Sequence, residues 1–158
     1  MPGGPHLRSV RLRRLGLGSA LLLLAAGCSP TVALDEPAPT GPAAAACTAM
    51  MSALPDLVLG QPRREVTPGR NAAAWGSPTI TMRCGVDRPA AMVAGVTCFT
   101  ANGVDWFPED ADGGAIFTAI GRDAMIEVRV PGRYQPPGDA LIDLAPVITE
   151  HNPDRGGC

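Results

Sequence analysis

The residues of this 158-residue chain with chemistry to offer are five cysteines, two histidines, a short run of acids and a scatter of arginines. Cys28 follows Leu24-Ala25-Ala26-Gly27, and Cys47, Cys84, Cys98 and Cys158 come at wide intervals with no C-x-x-C pair. Only His151 lies beyond residue 27, so a zinc site lacks its ligand spacing and no metal is expected. Ser29, Ser52 and Ser77 are the serines beyond residue 27, and none sits in a G-x-S-x-G elbow. His151 stands in a polar tail and reads as a solvated residue rather than the base of a Ser-His-Asp relay. Asp105, Glu109, Asp110 and Asp112 gather just before Gly113-Gly114. Asp110-Ala111-Asp112-Gly113 has the alternating oxygens of half a calcium loop, but residues 116–120 hold no acid to complete it. A solvated acidic turn is expected there, and nothing fixes two of these carboxylates at the separation that glycoside hydrolysis needs. The last set is Arg63, Arg64, Trp75, Arg83 and Arg122. Arg forks hold carboxylates and Trp anchors binding hot spots, so Arg63, Arg64, Trp75 and Arg122 form a candidate binding surface. No catalytic residue and no cofactor is expected.

The segment before these residues is a targeting signal. Arg8, Arg11, Arg13 and Arg14 precede twelve uncharged residues, Leu15 to Ala26, which are the n-region and h-region of a signal peptide. As a helix they span ~18 Å against a hydrocarbon core of ~30 Å, too short for a membrane span. Leu24 to Cys28 resembles the lipobox of bacterial lipoproteins. That implies removal of residues 1–27 and acylation of Cys28, with each buried methylene of the acyl chains (palmitate or similar) contributing ~0.8 kcal/mol of anchoring. The protein is then expected on the extracytoplasmic face of the cell membrane, held by lipidated Cys28. Pro30, Pro37, Pro39 and Pro42 make residues 28–42 a tether without apolar periodicity, reaching ~40 Å if extended. Residues 43–158 are the folded domain.

All thirteen basic residues are Arg, and nine remain beyond the leader against fifteen acids. An acidic mature chain offers no basic footprint for phosphates, so no nucleic-acid partner is expected.

The domain begins with a helix, Ala43 to Leu54, where Pro42 suits a first turn and Cys47, Met51 and Leu54 form a stripe. Residues 60–78 carry six Gly and Pro and are expected to be a long ordered loop holding Arg63, Arg64 and Trp75. Strand-like runs follow at 79–83, 95–100, 104–107, 115–120 and 125–130. In the last, Ile126, Val128 and Val130 alternate with Glu127 and Arg129, the mark of a sheet covered on one face. Asn102-Gly103 signals a hairpin turn. Asp139 to Glu150 carries a second apolar helical stripe, with Pro146 demanding a kink or a late start. The expected fold is α+β: a small antiparallel sheet of about five strands with N- and C-terminal helices packed on one face. Trp106 is expected in the core, and Arg122 has Asp105 as an alternative partner.

With Cys28 lipidated, four cysteines remain in an oxidising compartment, which implies two disulfides. Three connectivities are open. Placement in successive strands favours Cys84 with Cys98, worth ~3 kcal/mol, leaving Cys47 with Cys158, worth roughly 4 to 5 kcal/mol in the chain-entropy account.

A family resemblance covers the same stretch. Cys47, Leu54-Pro55, Gly60, Arg63-Arg64, Ala73-Ala74-Trp75-Gly76 with Pro78, Arg83-Cys84-Gly85-Val86 with Pro89, Gly103-Val104-Asp105-Trp106, Phe117-Thr118, Gly121-Arg122, Val128 to Pro131 and Cys158 together resemble the actinobacterial lipoprotein family catalogued as domain of unknown function 3515. The resemblance implies an exported, membrane-anchored envelope protein and transfers no reaction. The functional expectation is a non-enzymatic module contacting an envelope protein or the cell wall. A lipoprotein binding a small ligand near Trp75 is the alternative, followed by an exported hydrolase using the acidic cluster.

Overall fold

A computed structural model describes Met1, Gly3, Gly4 and residues 30–158 of the chain. The rest of the leader and Cys28 lie outside the described residues. In chain order the elements are β1 (Val32–Ala33), α1 (Gly41–Ser52), β2 (Leu57–Val58), β3 (Gln61–Arg64), β4 (Val66–Thr67), β5 (Ala72–Trp75), β6 (Ile80–Cys84), β7 (Phe99–Ala101), β8 (Val104–Ala111), β9 (Gly114–Ile120), β10 (Ile126–Pro131) and α2 (Asp139–His151). Eight strands form one antiparallel sheet in the order β2-β3-β5-β6-β10-β9-β8-β7, and β1 pairs with β4 in a separate parallel ribbon.

Alternation decides which face is covered. Val128 on β10 sits opposite Met82 on β6 and Phe117 on β9, while Trp106 on β8 faces Ala119. These side chains share one core with Cys47 and Met50 of α1 and Leu141, Leu144 and Ile148 of α2. Both helices therefore pack on the same face, as the patterning predicts. Trp106 is fully buried there, and its indole nitrogen has no hydrogen-bond partner among the described residues. Helix α1 starts with Pro in its first turn, where the missing N–H costs nothing. Pro146 is carried inside α2 on its exposed side, where water can take the Ile142 carbonyl that the proline leaves without a donor.

Three expectations are corrected. The sheet has eight strands rather than about five, because β2, β3 and β5 add to the five expected runs; residues 60–78 hold β3, β4 and β5 instead of a loop, β4 pairing with β1 outside the sheet. Gly60, Gly69 and Gly76 adopt positive φ at the turns between these strands, so the glycines punctuate strands rather than replace them. Ala72–Trp75 is buried on both faces, which erases the alternation that would have marked it. Nor are both helices terminal elements: β1 precedes α1, whereas α2 is the last element, followed only by an isolated bridge from Asp154 to Arg122. The tether is corrected over residues 30–40. Val32 and Leu34 N–H groups donate to Glu65 and Thr67 carbonyls at 2.8 and 3.2 Å, so this segment is a strap on the domain. The hairpin at Asn102-Gly103 forms as expected, with φ of 46° and 76° and Ala101 paired to Val104.

Candidate functional site

The candidate surface of Arg63, Arg64, Trp75 and Arg122 is not assembled. Trp75 is fully buried on β5, and its Nε1 donates to the Pro55 carbonyl at 3.0 Å. Arg64 spends Nη1 on the Gly76 carbonyl and Thr79 Oγ1, both at 3.1 Å, and Nη2 on the Pro30 carbonyl at 2.6 Å. Arg122 spends its fork on the Asn152 and Gly103 carbonyls at 2.7 and 2.6 Å, tying the end of α2 to the β7–β8 hairpin. These two arginines clip backbone segments together, and Trp75 is core. Arg63 alone of the four stands exposed, on β3, with no described side-chain hydrogen bond; its backbone N–H donates to the Asp56 carbonyl at 2.9 Å. Asp105, the suggested partner of Arg122, instead accepts from Thr100 Oγ1 at 2.6 Å and from the Cys158 N–H at 2.9 Å.

The disulfides form, but with different partners. Cys47 bridges Cys84 with Cα atoms 5.6 Å apart, and Cys98 bridges Cys158 at 6.2 Å. The expectation of Cys84 with Cys98 and Cys47 with Cys158 is corrected by strand order. β6 and β7 are not neighbours, since β10, β9 and β8 lie between them. Four strand steps separate Cys84 from Cys98 by roughly 19 Å, far beyond a bridgeable Cα distance. Instead α1 crosses the core face of β6, and the C-terminal tail reaches the β7 edge.

The acidic cluster also resolves into ordinary parts. Asp105, Glu109 and Asp110 lie on β8, and Asp112-Gly113 is the two-residue turn joining it to β9, with Gly113 at φ 72°. Among the described residues no group of three or more His, Cys, Asp or Glu is arranged to hold a metal ion.

What the fold does assemble lies on the face of the sheet away from the helices. Across it Ala72, Arg83, Glu127, Thr118 and Phe107 are cross-strand neighbours in one row from β5 to β8. Arg83 Nε and Nη2 donate to Glu127 Oε1 and Oε2 at 2.9 and 2.8 Å. This bidentate bond, with Asp35 adding its field, holds the guanidinium pKa above its ordinary value despite partial burial. The strap at Asp35–Ala38 and the loop at Gly85–Pro89 border this face and meet where Pro39 packs on Gly85. Together they line an open groove of about 690 Å³, whose described lining includes Asp35, Glu36, Asp87, Glu109 and Glu127 against Arg83 alone. Sequence reasoning named Glu109 and Arg83 separately but missed Asp35, Glu36, Asp87 and Thr118. The outward alternation of Glu127 and Arg129 was the available signal for this face; the strap's contribution had none.

The family follows from the whole chain. The family described as Protein of unknown function (DUF3515) matches residues 16–156, and the chain belongs to it. No curated protein and no solved structure matches it. Among the described residues no helix is long and apolar enough to cross a membrane.

Proposed function

We propose that this protein is an exported, lipid-anchored component of the cell envelope that works by contact with an envelope protein or the cell wall at its open sheet face, rather than by turning over a substrate. The observation that carries the reading is the groove over Arg83, Glu127 and Thr118. It is a concave, charged surface built on sheet strands and walled by a hydrogen-bonded strap. Surfaces on such scaffolds hold their geometry better than free loops do. The basic leader with its uncharged run supports export, and two disulfides suit an oxidising compartment. With Cys47, Cys84, Cys98 and Cys158 bridged, none of these four supplies a thiolate nucleophile.

Two measurements test this. A Cys28→Ala variant is expected to leave the membrane fraction; its retention after carbonate washing overturns the anchor. A photo-cross-linker placed at Glu109 in intact cells is expected to give a discrete adduct, whereas one at Arg133, outside the groove lining, gives none. Equal labelling at both positions removes the groove as the contact face. A small-ligand reading also has support, because the groove volume falls within the ~300–1,000 Å³ of small-molecule sites.

A further inference from the structure

We propose that the Cys98–Cys158 disulfide is a thiol-exchange site at which a small anionic thiol becomes attached to Cys158, a modification independent of the sheet-face groove. The two disulfides sit in unlike surroundings. Cys47 and Cys84 are each 0% exposed, packed in the core between α1 and β6. No thiolate reaches that bond unless the domain opens. Cys158 is exposed and Cys98 half-buried, and both line an open pocket of about 500 Å³. That volume suits a small molecule, and the pocket shares no described lining residue with the groove.

Exchange needs a sulfur that can be approached, and the tail provides it: Gly156 and Gly157, the two residues before Cys158, carry no side chain to shield it. Charge then favours an anionic attacker. Arg88, Arg122 and Arg155 are on the lining, which holds no Asp or Glu among the described residues. Arg155 is matched by Asp123. Arg88 Nε donates to the Met92 carbonyl at 3.1 Å, and Arg122 donates to the Asn152 and Gly103 carbonyls, so neither of these two cations is spent on a carboxylate. Two acids meet the tail backbone. Asp105 has one oxygen on Thr100 Oγ1 and the other on the Cys158 N–H, and Asp154 accepts the Gly156 N–H at 2.8 Å.

The step balances without an external oxidant. The incoming thiolate forms a new S–S bond with Cys158 Sγ, the Cys98–Cys158 bond breaks, and its electron pair leaves on Cys98 Sγ as a thiolate. One disulfide is consumed and one is formed. Attack and departure both bring negative charge into the pocket, and guanidinium groups nearby stabilise it, which speeds exchange. Cys98 stays fixed beside β7, so its thiolate can return to Cys158 and expel the added thiol. The modification is therefore reversible.

The test incubates the full disulfide-bonded chain, in detergent, with 2-mercaptoethanesulfonate, alkylates the freed thiols with iodoacetamide and maps both groups by peptide mass spectrometry. Cys158 is expected to carry the thiol and Cys98 the alkyl group, with Cys47–Cys84 opening at least about tenfold more slowly. Per thiolate, neutral 2-mercaptoethanol should react about two- to threefold more slowly than the sulfonate, and cationic 2-aminoethanethiol more slowly again. Arg88→Gln should narrow the gap between sulfonate and neutral thiol while leaving the neutral rate unchanged, which a merely structural loss would not do. Arg133→Gln, outside the pocket lining, should alter neither rate. Opening of both disulfides at one rate, attachment at Cys98, no preference for the sulfonate, or an equal change of both rates in Arg88→Gln overturns the proposal.

Discussion

The N-terminal strap and the C-terminal tail are both laid on the same sheet domain, but they are held by different chemistry. The strap is fixed at many weak points. Its backbone pairs with β4, Arg64 clasps the Pro30 carbonyl, Asn71 Nδ2 donates to the Pro37 carbonyl at 3.1 Å, and Pro39 fills the space over Gly85. The tail has one covalent point, Cys98 to Cys158. Around it Arg155 forks onto Asp123 at 2.7 and 3.0 Å, and the Arg155 N–H reaches the Gly121 carbonyl at 2.7 Å. Gly157 lies so close to the Asp105 carboxylate that a side chain there has no room. Distributed contacts fail gradually, whereas a single covalent bond fails at once, so the two ends differ in what can release them.

The sharpest way to break this comparison is Cys158→Ser. Opening a loop with a sequence separation of 60 residues should cost about 2 to 4 kcal/mol, measured by denaturant unfolding. Hydrogen exchange should quicken along 153–158 while 32–39 stays protected; release of both ends together would mean they form one unit. Next is Gly85→Val. Its φ is +83° and a Cβ would come 2.5 Å from Pro39 Cβ. The expected loss is about 1 to 3 kcal/mol, with fast exchange confined to the strap. Arg64→Ala removes three hydrogen bonds and should cost about 1 to 2 kcal/mol, loosening 30–34 and leaving the tail unmoved.

The smallest effect is a pH dependence at the tail. Arg155, chiefly through its hydrogen bond, holds the Asp123 carboxyl below its ordinary pKa. Its stabilisation is therefore present at neutral pH and lost as pH falls through the lowered folded value. Asp123→Asn should reduce the melting temperature slightly at pH 7, and the gap to the parent should close in acid, below about pH 4. A gap that persists unchanged there would show that the pair contributes nothing through ionisation.

Which parts of this were legible in the sequence follows from the same physics. Strong alternation at 126–130, the Asn-Gly turn and the apolar stripe of α2 each formed where expected, whereas α1 buries Ala46, Cys47 and Met50 in place of the Cys47, Met51 and Leu54 stripe, and Leu54 lies beyond its end. Ala72–Trp75 did not announce itself, because a strand buried on both sides loses its period of two and alanine carries little strand preference. Residues 30–40 look like a linker in sequence because Pro-rich composition describes lost helix and sheet donors, not whether neighbouring groups supply contacts. Disulfide partners were invisible because sequence neighbours β6 and β7 are separated by three strands that arrive later in the chain. The groove needed both of these unseen features, the strap for its wall and the strand order for its floor.

The strap also sets how far the domain can search. Free, the eleven residues from Pro30 to Thr40 would extend up to ~34 Å, and the groove would sweep a volume growing steeply with that radius. Laid against β4, they add almost no reach. For a chain acylated at Cys28, this confines the groove to a thin shell above the bilayer. Effective concentration is then high for a ligand on the same membrane and close to zero for one fixed tens of ångströms away.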